Sequence, residues 1–504
     1  MSKLKYHNRV AGNKKYLDVS LSIAAKMVKD KEYEAAANYA GTLANFAWQN
    51  CTGYYANWQL EGILNDIGQH VEEIGYKAKS GNTGGKLNVL HIATELYNSG
   101  GHTKLLLNWV KNDISNNSRI LVTRQTIKEL PEKNIKSCGL DMSYFISLEE
   151  KANILDKATE LRKIANGYDC IILHTHPDDV IAVMALSSTN LPPIAFLNHA
   201  DHIFWIGASI SDLVLQIRAV NIKIDEVRRK LTNQLFLPIP VPDDTVETEY
   251  AQVRKELEVA EDIIFLLSTG TEYKFVPTPQ YNFFKHIIGV LDKHKNAVLY
   301  IAGISADSAL ATEYAHRQIV YLGEVNDLYR YETACDIYVE GYPVPSFTAL
   351  LQAGKKDKPV QLMYDPLPVV AFFDDHTPGF KYPTQDKWEA ELELMISDTA
   401  HREKLKEQQQ EYFKAFYMNE SWQTRLHEMY KMLLGTRHKV YKHNSSQFYN
   451  TANENYLSAL NYNNIPYPTD YKKKPIRLIY AYRWLRFVRN PIVNRALYFL
   501  KHLK

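Results

Sequence analysis

The sequence predicts an α/β protein of two doubly wound domains, and three observations lead there. From Leu87 onward short apolar runs alternate with amphipathic stretches at helical spacing, the pattern of strands joined through helices into parallel sheets. At 504 residues the chain is too long for one ordinary core. Near its middle, Pro238-Ile239-Pro240-Val241-Pro242-Asp243-Asp244 cannot continue a helix or a central strand and reads as a stiff hinge between the halves. A net charge of +2 and 45% hydrophobic residues describe a globular protein and exclude a disordered or nucleic-acid-coating one. Cys51, Cys138, Cys170 and Cys335 lack metal or disulfide spacing and read as reduced residues of a cytosolic protein.

Residues 1–80 form a helical cap. Between 16 and 76, and above all over 33–47, small and aromatic residues recur at helical spacing, as in one or two helix-hairpin units. Such a cap packs on the next domain or offers a surface to an acceptor or a second subunit. The opening MSKLKYHNRVAGNKK has no apolar signal-like run, and no stretch approaches the roughly 20 apolar residues of a membrane span, so a cytoplasmic location is expected. A Gly/Ser/Lys linker follows at 77–85.

The first α/β domain, 86–240, opens with a strand at 87–93. After it come Gly100-Gly101-His102 and a helix at 104–111, where paired glycines let backbone approach a ligand. A strand at 118–123, a helix at 148–165 and a strand at 170–173 lead to His174-Thr175-His176-Pro177-Asp178-Asp179. Those side chains suit either a zinc or manganese ion or a polar strand end in a cleft. A strand at 194–197 ends in Asn198-His199-Ala200-Asp201-His202, three ionisable groups at one terminus. An imidazole held by a carboxylate is suited to accept a proton near pH 7, which makes His199, Asp201 and His202 catalytic candidates. A helix at 211–218 and a strand at 234–237 reach the hinge.

The second domain, 250–398, follows an acidic helix at 249–260. Strands are expected at 263–267, 297–301, 319–322 and 335–339, with helices ending at 292 and spanning 327–333. The last strand runs into Glu340-Gly341-Tyr342-Pro343-Val344-Pro345-Ser346, which opens a helix at about 347. Pro and Ser suit a helix start, whose free N–H groups and positive dipole end hold phosphate, and Glu340 stands at the carboxyl end of a strand, where open α/β sheets bind ligands. A helix at 388–396 and a long charged helix at 399–434 close the fold.

Gly323, Val325, Asp327, Ala334, Asp336, Glu340, Gly341, Tyr342, Lys358, Pro359 and Val360 together resemble the donor-binding segment of GT-B glycosyltransferases, especially the retaining family 4 type. That resemblance, over residues 87–434, implies two Rossmann-like domains facing a cleft and a helix at 399–435 that crosses back onto the first domain. The function it implies is transfer of a sugar from a nucleotide-sugar donor to a glycan or lipid-linked acceptor in cell-surface polysaccharide or glycoconjugate assembly, with no metal and no other cofactor. Lys274, Ser346 and Thr348 would lie at the diphosphate and Glu340 on sugar or ribose beside Gly341. Gly100, Gly101 and His102 would receive the acceptor, His174 and His176 would line the cleft, and His199 would meet the donor sugar. The family's second glutamate is absent. Its slot falls on Thr348 counted from Glu340 and on Gln352 counted from Pro359, which resembles the Ser/Thr-rich donor helix of O-GlcNAc-transferase-like enzymes and leaves retention or inversion open. A sugar-nucleotide epimerase or a non-catalytic scaffold of the same shape is the alternative.

The tail, 436–504, departs from that pattern. Residues 444–464, rich in Asn, Ser and Tyr, are expected to be loosely ordered. Over 472–504, Lys and Arg without a single acid interleave with Trp484, Phe487, Leu497 and other apolar residues at helical spacing. Such a segment suits an anionic membrane surface, as a peripheral anchor, or an apolar face of the protein itself.

Overall fold

Apolar runs of two to six residues, too short for helices, become the strands of two parallel sheets. The computed structural model describes residues 3–73, 85–98, 101–151, 153–240, 249–278, 281–325, 327–363, 384–417 and 419–449. In the first sheet β1 (Asn88–Ala93), β2 (Asn117–Val122), β3 (Phe145–Ser147), β4 (Cys170–His174), β5 (Ile194–Asn198), β6 (Leu213–Gln216) and β7 (Gln234–Phe236) lie in the order β3-β2-β1-β4-β5-β6-β7. The second sheet holds β8 (Ile264–Thr269), β9 (Ala297–Ala302), β10 (Ile319–Gly323), β11 (Ile337–Val339) and β12 (Val360–Gln361) in the order β10-β9-β8-β11-β12. In both, the winding reverses beside the first strand, so a crevice opens at the carboxyl ends of β1 and β4 and of β8 and β11.

Three elements differ from expectation. Residues 211–218 carry strand β6 instead of a helix. Leu213, Val214, Leu215 and Gln216 are all buried, and a short run buried on both faces has no periodicity to tell strand from helix. The helix expected from 148 starts at Ile154, where the Asn153 side chain accepts from the Leu155 and Asp156 amides, and the residues before it supply β3. The long helix at 399–434 is two, Thr399–Tyr417 and Asn419–Leu434.

The N-terminal helices Lys3–Lys29, Tyr33–Gln49 and Trp58–Gly68 share one apolar core with the helix Val180–Leu186 and strands of the first sheet. Polar groups lock that joint. The buried Glu61 carboxylate accepts from the Gly207 and Ala208 amides at 2.7 and 3.1 Å, and the buried Arg162 guanidinium donates to the Gly68, Val71, Met184 and Ala185 carbonyls. A charge buried with this many partners is satisfied, whereas removing one partner strands the other.

The helix Thr399–Tyr417 packs on the second domain, and Asn419–Leu434 returns to the first. Trp422 Nε1 donates to the Pro238 carbonyl (3.1 Å) at the start of the hinge, its ring meets Trp109 edge-on at 6.1 Å, and the Tyr430 hydroxyl donates to Asp113 (2.5 Å). Of the hinge, residues 241–248 lie outside the described residues. Residues 436–449 do not hang loose, as expected for those from 444. His438 faces Asp212 (2.8 Å) and the Leu186 carbonyl, Ser446 accepts from the Trp58 amide (2.8 Å), and the Tyr449 amide donates to the Gly53 carbonyl, so the segment is a strap across the first domain onto the N-terminal helices. The rest of that stretch, 450–464, and the basic tail, 472–504, lie outside the described residues. Among those described, no helix is long and apolar enough to cross a membrane. Trp422→Ala is expected to cost about 3–5 kcal/mol of unfolding free energy, read by chemical denaturation, because it empties the joint between hinge, first domain and returning helix.

Candidate active site

Strand β11 ends by delivering Glu340 into the interior, where it is fully buried. Its Oε1 accepts a short hydrogen bond from the Ser346 amide, one of the free N–H groups at the start of the helix Phe347–Lys355. Lys274, in the turn after β8, donates from Nζ to Ser346 Oγ at 2.9 Å. Carboxylate, hydroxyl and ammonium thus converge at one helix start, on the carboxyl side of two adjacent strands. Burial pushes the Glu340 carboxyl up to about 7, against the pull of the Ser346 amide and of Lys274; burial also lowers the Lys274 ammonium, which Glu340 partly restores. Glu340 Oε2 is buried and has no hydrogen-bond partner among the described residues. Gly341 is small for a packing reason: a Cβ there would come within 2.4 Å of the Phe275 ring. Tyr342, next along, is buried against Phe283 and Trp388.

Facing this corner is the start of the helix Gly101–Asn112 in the first domain. A Cβ on Gly101 would lie 3.5 Å from Thr348 Oγ1, so the start of this helix and the helix Phe347–Lys355 face each other across the two domains. Gly100 lies outside the described residues. Gln352 sits one turn beyond Thr348, on the same side of its helix.

Behind Gly101 the first domain gathers imidazoles. His102 Nε2 bonds the His174 carbonyl at 2.7 Å, and a carbonyl only accepts, so this nitrogen carries the proton and Nδ1 keeps its lone pair. That Nδ1 is buried and has no hydrogen-bond partner among the described residues. The His102 and His199 rings lie 4.4 Å apart, and His199 Nδ1 faces the Leu197 carbonyl at 3.3 Å, which leaves its Nε2 as acceptor. Burial lowers both imidazoles below their ordinary range, and the neighbouring rings lower His199 further, so both are neutral at pH 7.

Several expected roles shift once side chains are placed. Asp201 does not hold His199. The Arg218 guanidinium and the Asn221 amide close on its carboxylate, and only His202 among the imidazoles reaches it, at 3.4 Å. Burial alone would raise that carboxyl, but Arg218 and His202 hold it well below the usual range, so Asp201 is a fixed anion of the fold. His174 and His176 do not converge. His174 points into the interior against Trp109, 3.0 Å from His91, and meets His102 through its carbonyl; His176 lies buried beneath Tyr97, its ring 5.4 Å from His102. Among the described residues no group of three or more histidines, cysteines or acids is placed to hold a metal ion. Asp178 and Asp179 are occupied by Arg124 and Asn45 and by Thr94, Thr123 and the start of the helix Val180–Leu186. In the donor motif, Asp336 binds Arg254 (2.8 Å) and the Phe265 amide (2.7 Å), which makes it a strut and not a ligand. Sequence reasoning passed over His91, Tyr97, Arg124 and Arg218. The polar His91 inside the apolar run 87–93 was the one visible signal.

No family model and no curated protein matches the sequence. Solved structures do. A glycosyltransferase from Rickettsia africae superposes with a TM-score of 0.52 at 12% identity, over 70% of this chain and 99% of its own. The pneumococcal O-GlcNAc transferase GtfA, determined with UDP and GlcNAc, superposes with a TM-score of 0.50 at 10% identity, over 70% of this chain and 100% of its own. The likeness is one of fold and does not single out family 4. Two parallel sheets with facing switch points, matched along the full length of both those enzymes, place this chain among proteins of the GT-B fold.

Proposed function

We propose that the chain is a metal-independent glycosyltransferase that moves a sugar from a nucleotide-sugar donor to a glycan or lipid-linked acceptor. The observation that carries this reading is the convergence of Lys274, Ser346 and Glu340 on one helix start, whose Thr348 stands opposite Gly101 of the other domain. A diphosphate seated there meets an ammonium, a hydroxyl and free backbone N–H groups, which stabilise the charge that grows on the leaving phosphate as the glycosidic bond breaks. Glu340 Oε2 is the unused acceptor for a sugar or ribose hydroxyl. The GtfA complex with UDP makes a uracil nucleotide the first donor to test.

On the opposite wall the proton of the acceptor hydroxyl has two neutral imidazole lone pairs to go to, His102 Nδ1 and His199 Nε2. Asp201, bound to Arg218, steadies His202 and the strand end and takes no proton itself. Thr348 and Gln352, in place of an acid, are hydrogen-bonding groups for ribose. Closure of the domains about the hinge expected at 238–244 would align the two substrates. The basic stretch 472–504 would hold the enzyme on an anionic membrane surface, close to a lipid-linked acceptor in polysaccharide assembly.

Lys274→Ala is expected to lower turnover of a UDP-sugar by about 10²–10³-fold, in the range for losing one preorganised charge at a leaving group, with the melting temperature retained. Initial-rate measurement of UDP release checks this; an unchanged rate removes Lys274 from the chemistry. The raised Glu340 carboxyl sets a pH dependence. Below about pH 7 it is neutral and Lys274 meets the diphosphate unopposed, whereas above that pH its negative charge adjoins the phosphates. UDP-sugar affinity, measured by calorimetry from about pH 6 to about pH 8, is therefore expected to fall with rising pH by roughly tenfold. Glu340→Gln is expected to flatten that profile.

A further inference from the structure

Beside the glycine loop a row of rings runs from the N-terminal helices to the cleft. Trp48, on the helix Tyr33–Gln49, lies 5.9 Å from His176 at 45°; His176 lies 5.7 Å from Tyr97 at 11°, nearly parallel. Tyr97 is 48% exposed, so one large ring stands open on the first-domain side of the cleft mouth. A single exposed tyrosine means little. This one is pinned on every side: its amide donates to Thr103 Oγ1 at 2.8 Å, its hydroxyl donates to Glu95 at 2.6 Å, and Asn134 donates to the Tyr97 and Asn98 carbonyls.

The polar groups around the row are equally fixed. Arg124 bridges to Asp178 at 3.1 Å, and Asn45, from the same helix as Trp48, donates to the other Asp178 oxygen at 3.1 Å. Glu95 keeps a carboxylate beside the open ring. With Glu95 and Asp178 set against Arg124, this rim is acidic and repels a phosphorylated or carboxylated ligand. Rigid aromatic faces flanked by planar hydrogen-bonding groups suit a pyranose, whose axial C–H face lies on a ring while its hydroxyls bond to carboxylate and guanidinium.

We propose that Trp48, Tyr97 and Glu95 form an acceptor subsite for a neutral saccharide unit next to the one that reacts, so that the N-terminal helices supply one wall of the substrate path. The subsite rests on the glycosyltransferase reading above, and extends it by fixing the acceptor as a neutral glycan of more than one unit. It also gives the three added helices a task beyond packing. Glu61 and Arg162 hold those helices to the first sheet, where Trp48 meets His176.

The test uses the full-length protein saturated with UDP and titrated with cello-, malto- and chito-oligosaccharides of increasing length, with oligogalacturonate as the anionic counterpart. Calorimetric titration of UDP on the same samples reports on the donor site. Affinity for at least one neutral series is expected to rise with length, and to fall by about tenfold or more in Tyr97→Ala and in Trp48→Ala but by less than about threefold in Tyr97→Phe, which keeps the ring. Trp48 belongs to a different element, so Trp48→Ala carries the test if Tyr97→Ala misfolds. The subsite is overturned if UDP binds while every neutral series fails, if both alanine variants bind saccharide as the parent does, or if oligogalacturonate binds best. Failure of UDP, GDP and the other nucleoside diphosphates alike to bind overturns the transferase reading, and the subsite with it.

Discussion

The buried Glu340 carboxyl constrains more of this molecule than any other single group. It ends a strand, accepts from the first amide of the next helix, and stands close enough to Lys274 for each to shift the other's protonation. A polar group placed in a dry corner must be satisfied or left neutral. One oxygen is satisfied by the helix start, and burial drives the group toward its neutral form. The direction of the helix, the place of Ser346 and the reach of Lys274 follow from that arrangement. The bulk packs around it: Phe275 covers Gly341, and Tyr342 wedges between Phe283 and Trp388.

The opposite wall works by a different principle. It is lined with imidazoles rather than fixed charges, and burial keeps them neutral. Lone pairs that stay unprotonated at pH 7 can accept a proton from a hydroxyl, and an uncharged wall would not compete with Lys274 for the proposed diphosphate. Charged groups on this side are spent in structure: Asp201 on Arg218, Asp178 on Arg124, Asp179 on the threonines of two strand ends. On the proposed reading, anion binding falls to one domain and proton handling to the other, and Trp422 and Tyr430 fasten the returning helix to the first.

The strap at 436–449 and the three N-terminal helices form a second, outer layer on the first domain. Phe448 packs so closely at Gly53 that a Cβ there would come within 2.4 Å of its ring, and His443 meets Trp58 edge-on at 4.3 Å. Chain segments from both ends of the sequence therefore bury one another beside the proposed acceptor side. Neither segment carries a periodic signal that names its partner, because contacts between residues nearly 400 apart leave no local trace.

What the sequence determined by itself was the α/β alternation, the pair of sheets, and the turn that carries Glu340 and Ser346. Those follow from local chemistry: strand-length apolar runs, prolines that break them, and a Glu-Gly-Tyr turn before a Ser-started helix. What only the tertiary structure decided was which side chains meet. Asp201 and His199 are two residues apart, yet a turn at the strand end sends one to Arg218 and the other to His102. His174 and His176 share a sequence motif but part into core and cleft, because the chain leaves β4 between them. Strand β6 hid because a segment buried on both faces shows no alternation. Tyr97 and Trp48 became neighbours of one ring only through the packing of the N-terminal helices on the first sheet, a contact that depends on shape and burial rather than on any spacing along the chain.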